Sequence, residues 1–183
     1  MIITLSGVPG SGKTTAAKML SEKLKLKHYY MGGIRRKLAK ERGMTIDEFN
    51  KLGEKDSSTD RVVDDFLIKL GKTEDNFIAE GRTAPFFIPN SFKIFMDVKT
   101  EVGAQRILDE LTKKQHERNE RAAQDLKEEV RLLRKRIASD KKRYHTYYGI
   151  DIFKPSMYDL WIDTSTLSPE QVVFQILEKI RKL

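Results

Sequence analysis

Ile2-Ile3-Thr4-Leu5-Ser6-Gly7-Val8-Pro9-Gly10-Ser11-Gly12-Lys13-Thr14-Thr15 decides the fold of this 183-residue chain. Ile2 to Ser6 is rich in β-branched residues and reads as a short buried strand. Gly7 to Thr14 then matches G-x-x-x-x-G-K-[ST] at every position. Ala17, Leu20 and Leu24 continue as one face of a helix. Strand, glycine loop and helix in this order make a phosphate-binding loop. The glycines let successive N–H groups turn inward, and the helix N-terminus adds the positive end of its dipole. Lys13 is expected to reach the β- and γ-phosphates of a nucleoside triphosphate, and Thr14 to ligate Mg²⁺. Gly7, Pro9, Gly10, Ser11, Gly12, Lys13, Thr14 and Thr15 are the candidate nucleotide-binding residues.

Further along, strands and helices alternate. Strands are predicted over residues 28–31, 76–80, 92–98 and 158–163. Helices are predicted over residues 34–42, from Thr45, over 59–70 with Val62 and Val63 on the inner side, over 101–111, and from Ser168. Thr45 with Glu48 three residues on has the form of a capping box, and Ser168-Pro169 is a helix start signal. Alternation of this kind predicts an α/β fold of the P-loop kinase type: a five-stranded parallel sheet with helices on both faces. Ligands in such sheets lie at the carboxyl ends of the strands.

That rule singles out Arg36, one turn into the helix after the second strand, and Glu80-Gly81-Arg82 at the end of the third. A phosphorylated acceptor needs rigid, permanently charged donors, which suits Arg36 and Arg82. Gly81 lets backbone approach closely. Arg35 and Lys37 are expected to face solvent. Glu80, beside the phosphate loop, is a candidate to orient water on Mg²⁺, with Asp97 as a competitor.

Lys and Arg number 35 against 27 Asp and Glu, a net charge of +8. Most of the excess falls within 106–147, and 112–147 is the most polar stretch. Leu126, Val130, Leu133 and Ile137 form an apolar stripe there. Arg136 and Arg143, seven apart, fall on one side of the helix and flank that stripe. A solvated helix of ion pairs, a nucleic-acid arm and a partner helix are the alternatives; interleaved Glu128, Glu129 and Asp140 argue against nucleic acid. The three histidines, His28, His116 and His145, show no metal spacing. Cysteine is absent, which excludes disulfides and thiolate metal sites. No apolar run is long enough to span a bilayer, and a cytoplasmic monomer is expected.

Gly7-x-Pro9-Gly10-Ser11-Gly12-Lys13-Thr14-Thr15, Ile34-x-Arg36-x-x-Ala39, Glu80-Gly81-Arg82, Arg143-Tyr144, Tyr148-Gly149-Ile150-Asp151-Ile152 and Tyr158-Asp159-Leu160-x-Ile162-Asp163-Thr164-Ser165 together resemble the archaeal-type cytidylate kinases, over nearly the whole chain. The resemblance implies transfer of the ATP γ-phosphoryl to a nucleoside monophosphate, CMP or dCMP. It also implies one domain with a core (1–31, 76–111 and 148–183), a mobile monophosphate-binding segment (about 32–75) and a lid (about 112–147). In such a kinase Lys13, Arg136 and Arg143 would stabilise charge on the moving group. Arg36, Gly81 and Arg82 would hold the acceptor, and Asp60-Arg61 would read the cytosine edge. The chain departs from the family pattern at Gly33, where an Asp is usual, and in the stretch Thr83 to Pro89. A kinase for AMP, UMP or another small acceptor is the nearest alternative; a nucleotide-gated ATPase that binds RNA or a protein is the alternative of another class.

Overall fold

A computed structural model describes residues 1–113 and 123–182. His116 and part of the polar stretch lie outside the described residues. Five strands, β1 (Ile2–Gly7), β2 (Lys27–Tyr30), β3 (Phe77–Glu80), β4 (Phe92–Asp97) and β5 (Leu160–Asp163), form one sheet. Their order is β2-β3-β1-β4-β5, and every pairing is parallel. Thus β1 sits in the centre, with β3 on one side and β4 on the other. The loops that follow β1 and β3 leave the same edge of the sheet side by side.

Among the described residues, eight α-helices connect and cover the strands: α1 (Lys13–Leu24), α2 (Met31–Glu41), α3 (Ile46–Gly53), α4 (Ser58–Thr73), α5 (Ala84–Phe87), α6 (Thr100–Lys113), α7 (Leu126–Tyr148) and α8 (Pro169–Ile180). On one face of the sheet, Ile3, Leu5, Ile78, Ile94 and Met96 bury against α1 and α8. On the other, Phe77 and Ala79 bury against Val63, Leu67 and Leu70 of α4 and Ala84 of α5. Burying side chains of this size contributes about 1.5–3 kcal/mol each. Thr4, polar inside β1, is satisfied by Ser91 Oγ at 2.8 Å. Trp161 stacks on Phe95, ring centroids 3.9 Å apart, as part of a cluster beside β4.

The predicted caps form. Thr45 and Glu48 close a capping box on α3, and Ser168 with Gln171 does the same for α8. Two expectations change. The helix after β2 starts at Met31, so Gly32 and Gly33 are helical. A Cβ on either would meet the ring of Tyr30, at 2.7 and 2.9 Å, so these glycines make room for that ring. Val62 is half exposed; Val63, Leu67 and Leu70 carry the inner face of α4 instead.

The polar stretch contains α7, a helix of 23 residues. Asp125 caps its start by accepting from Glu128 N, and Gly149 closes its end in the left-handed region. Val130, Leu133 and Ile137 pack on Ala104 and Ile107 of α6, so this part of the stripe is used within the chain, whereas Leu126, in the helix's first turn, is exposed.

Candidate active site

Gly7 turns out of β1 with φ of 143°, and a Cβ there would lie 2.1 Å from Met96 O of the neighbouring strand. Only glycine fits this close approach. The loop then turns twice more through Gly10 and Gly12, both at positive φ, into α1. Lys13 Nζ donates to Val8 O at 2.6 Å and to Ser11 Oγ at 3.3 Å, which folds the ammonium over the loop. Thr14 Oγ1 donates to Glu80 Oε1 at 2.7 Å, and His28 Nε2 lies 3.2 Å from Glu80 Oε2. Asp97 accepts from Val98 N at 2.9 Å and is not part of the cavity wall.

One cavity of ≈ 1010 Å³ runs from this loop to the far side of the sheet edge. Residues 9–15 line it, and so do Arg36, Asp60, Glu80, Gly81, Arg82 and Arg136. Amides from the start of the chain thus share a space with guanidiniums from α2, from the loop after β3 and from α7. Arg36 Nη1 donates to Tyr30 Oη at 2.5 Å and to Gly32 O at 3.3 Å, which fixes it against its own first turn.

Three predicted site residues do not line this cavity: Gly7, which turns the chain out of β1 behind it, Arg61 and Arg143. Arg61 is exposed on the outer side of α4. Arg143 is buried behind the wall, 1% exposed. Its Nη1 donates to Asp60 Oδ1 and its Nη2 to Asp140 Oδ1, both at 2.5 Å. Arg35, expected in solvent, is buried instead. It donates to Asn50 Oδ1 at 2.9 Å, Thr59 O at 2.9 Å and Asp60 Oδ1 at 2.8 Å. Asp60 lies between these two guanidiniums. On its other side Asp140 meets Arg82, Nε to Oδ2, at 2.7 Å. The result is a chain of alternating charge, Arg35–Asp60–Arg143–Asp140–Arg82, through α2, α4, α7 and the loop after β3. It escaped notice in the sequence because its members lie far apart and Arg35 sits among other basic residues.

Charge density sets the protonation states. Burial and then the facing Arg82 push the Lys13 ammonium down to about 7, with Arg136 adding to this and Glu80 opposing it. Asp64, one turn after Asp60 on α4, also lines the cavity. It accepts from Thr83 Oγ1 at 2.9 Å and from the Tyr148 hydroxyl, yet burial raises its carboxyl to about 6.

The opposite end of the cavity is lined by Arg106, Thr164, Leu167 and Pro169. Arg106 donates to Thr164 O at 2.8 Å, and Thr164 Oγ1 donates to Ser11 O at 3.1 Å, so α6 and the loop after β5 brace the phosphate loop. The sequence reading gave neither residue a role; no local motif marks Arg106, whose partners lie across the fold. Among the described residues no cluster of three metal-ligating His, Cys, Asp or Glu occurs, and no helix is long and apolar enough to cross a membrane.

The fold is shared with solved P-loop kinases. A shikimate kinase from Acinetobacter baumannii, in complex with shikimate, superposes with a TM-score of 0.62 at 15% identity, covering 99% of this chain and 93% of that one. Sequence comparison reaches further. A Pyrococcus horikoshii cytidylate kinase is 39% identical over 94% of this chain and 84% of its own length. A Methanobrevibacter smithii cytidylate kinase is 34% identical over 99% of both chains. The family model described as cytidylate kinase-like matches residues 2–166. With the phosphate loop and Arg36, Arg82 and Arg136 facing one cavity, the chain belongs to the cytidylate kinase-like family.

Proposed function

We propose that this protein is an ATP-dependent nucleoside monophosphate kinase that converts CMP, and dCMP, to the diphosphate by direct in-line transfer. One observation carries the reading: Lys13 of the phosphate loop and the guanidiniums of Arg36, Arg82 and Arg136 face the same cavity. Cations from the phosphate loop, α2, the loop after β3 and α7 around one space suit two phosphorylated ligands. The cytidylate assignment rests on the relatives.

ATP would lie with its phosphates in the amide cradle and its base toward Arg106, Leu167 and Pro169. Arg36 and Arg82 would hold the acceptor phosphate, whose two charges a planar guanidinium matches better than an ammonium. Lys13 and Arg136 would stabilise charge spreading over the transferring oxygens. Arg143 fits a supporting role, since two carboxylates already bind its guanidinium. Asp60 is likewise engaged with Arg35 and Arg143, and the hydrogen-bonded pair Asp64 and Thr83 would offer the base further polar groups on the cavity wall. Thr14 Oγ1 and Glu80 are hard oxygen donors 2.7 Å apart, a set that fits Mg²⁺ completed by water and phosphate oxygens. Bound there, the ion would neutralise phosphate charge. Closure over the cavity would exclude water and so suppress ATP hydrolysis. The segment 31–73, with α2 to α4, is the proposed acceptor-binding part, and α7 belongs to the lid.

The test is a panel of monophosphates in a coupled ADP-release assay. CMP and dCMP should exceed AMP and UMP by about tenfold or more in kcat/KM, which corresponds to about 1.4 kcal/mol of discrimination. Equal turnover across the panel defeats the cytidylate assignment. ATP hydrolysis stimulated by RNA, without acceptor-dependent ADP, defeats the kinase.

A further inference from the structure

Asp140 touches both Arg82, which lines the cavity, and Arg143, which is buried behind it. It stands on α7 between Arg136 and Arg143, is 1% exposed, and does not itself line the cavity. Oδ2 lies 2.7 Å from Arg82 Nε, and Oδ1 accepts from Arg143 Nη2 at 2.5 Å. Burial alone would favour the neutral acid. The guanidiniums of Arg82, Arg143, Arg136 and Arg35 outweigh it and hold the carboxyl below the usual range. The group is therefore a buried anion at neutral pH.

A guanidinium is a rigid planar fork. When a fixed carboxylate stands 2.7 Å from its Nε as an ion pair, the fork is held close to that anion. Arg82 without such a partner is a long side chain with rotamer freedom, next to the electropositive Arg136 and Lys13. The same carboxylate ties α7 to the loop after β3, and Arg136 stands one turn away on that helix. One anion thus pairs with a cavity-facing cation from another element while standing on the helix that carries Arg136, and Arg143 extends the tie to Asp60 on α4.

We infer that Asp140 is a positioning residue for phosphoryl transfer: its carboxylate fixes Arg82 and the Arg136 face of α7 in the geometry that receives the acceptor phosphate. This rests on the kinase reading above. A structural ion pair would matter only for stability, and buried pairs are often replaceable at little stability cost. A positioning group must change acceptor kinetics through Arg82, because misplacing a reacting group by about 1 Å can cost about 10²-fold.

The experiment is a double-mutant cycle on kcat/KM for the acceptor, with Asp140→Asn, Arg82→Ala and the two combined. Asp140→Asn keeps the shape and removes the charge. It should lower kcat/KM for CMP by about tenfold to 10²-fold, chiefly through the acceptor KM, while the ATP dissociation constant changes less than about twofold. In the Arg82→Ala background the same substitution should have almost no further effect. Equal losses in both backgrounds, or an unchanged acceptor KM, overturn the inference. Asp140→Ser repeats the cycle if the Asn variant does not give a cooperative unfolding transition, and only folded protein is compared. Acceptor-dependent ADP release by the unsubstituted chain is measured first. Its absence defeats the kinase reading, whereas its presence with an additive cycle defeats only the role given to Asp140.

Discussion

Thr14 Oγ1 donates to Glu80 Oε1 across 2.7 Å, so the first turn of α1 and the carboxyl end of β3 address one point in the cavity. If that point holds Mg²⁺, Glu80→Gln removes the charge that orders the ion's water. The Mg²⁺ concentration for half-maximal turnover should rise about tenfold or more. A metal titration at saturating ATP checks this, and an unchanged midpoint would place the ion elsewhere.

Arg82 stands near Lys13 but comes from the loop after β3, and in the proposed reading it holds the acceptor and not ATP. Arg82→Ala should reduce acceptor-dependent turnover about 10²-fold or more, with ATP affinity within about threefold. Calorimetric titration of ATP into the variant separates the two effects. Comparable loss of ATP binding would move Arg82 to the donor side.

Neighbouring arginines should differ sharply in their effect on stability. Arg35 is buried with three partners, whereas Arg61 is in solvent. Arg35→Ala leaves Asp60 with one cation fewer in a buried setting and should cost about 3–5 kcal/mol. Arg61→Ala should stay within about 0.5 kcal/mol. Urea unfolding of both variants gives the comparison, and similar midpoints would contradict the ion chain.

Asp64 gives a pH signature. Its carboxyl is raised from 3.8 to about 6 by burial, although Tyr148 and Thr83 donate to it and Arg35 opposes the rise. The folded chain then binds more protons at this group than the unfolded chain between about pH 4 and 6. Its contribution to stability must fall as pH rises through that window, by at most about 3 kcal/mol. Asp64→Asn cannot titrate, so it should gain on the parent from pH 4 to pH 7. A stability difference that does not vary with pH would falsify the shift.

The parallel sheet and the phosphate loop were legible because each rests on local pattern. Ile2 to Thr15 contains its strand, its turn and its helix start in one run, and the caps at Thr45 and Ser168 need only three residues each. Residues whose surroundings come from elsewhere were misread. Arg35 looks like any basic residue beside Arg36 and Lys37, and nothing near it in sequence announces Asn50 or Asp60. Arg143 and Arg136 share a helix side by spacing, but Asp140 and Asp60 hold the first behind the cavity wall while the second reaches the cavity. Asp64 lies one turn from Asp60 and was passed over, since its hydroxyl partners are on the loop after β3 and at the end of α7.

The sheet order has a consequence for how the chain is assembled. β1 leaves the ribosome well before both its neighbours: Ile2 pairs with Phe77, and Ile3 with Phe92. Closing such large loops is slow compared with forming a hairpin. The strand that feeds the amide cradle must therefore wait, unpaired, until Phe77 and then Phe92 have been synthesised, and the cradle is held in place only once those distant segments have docked.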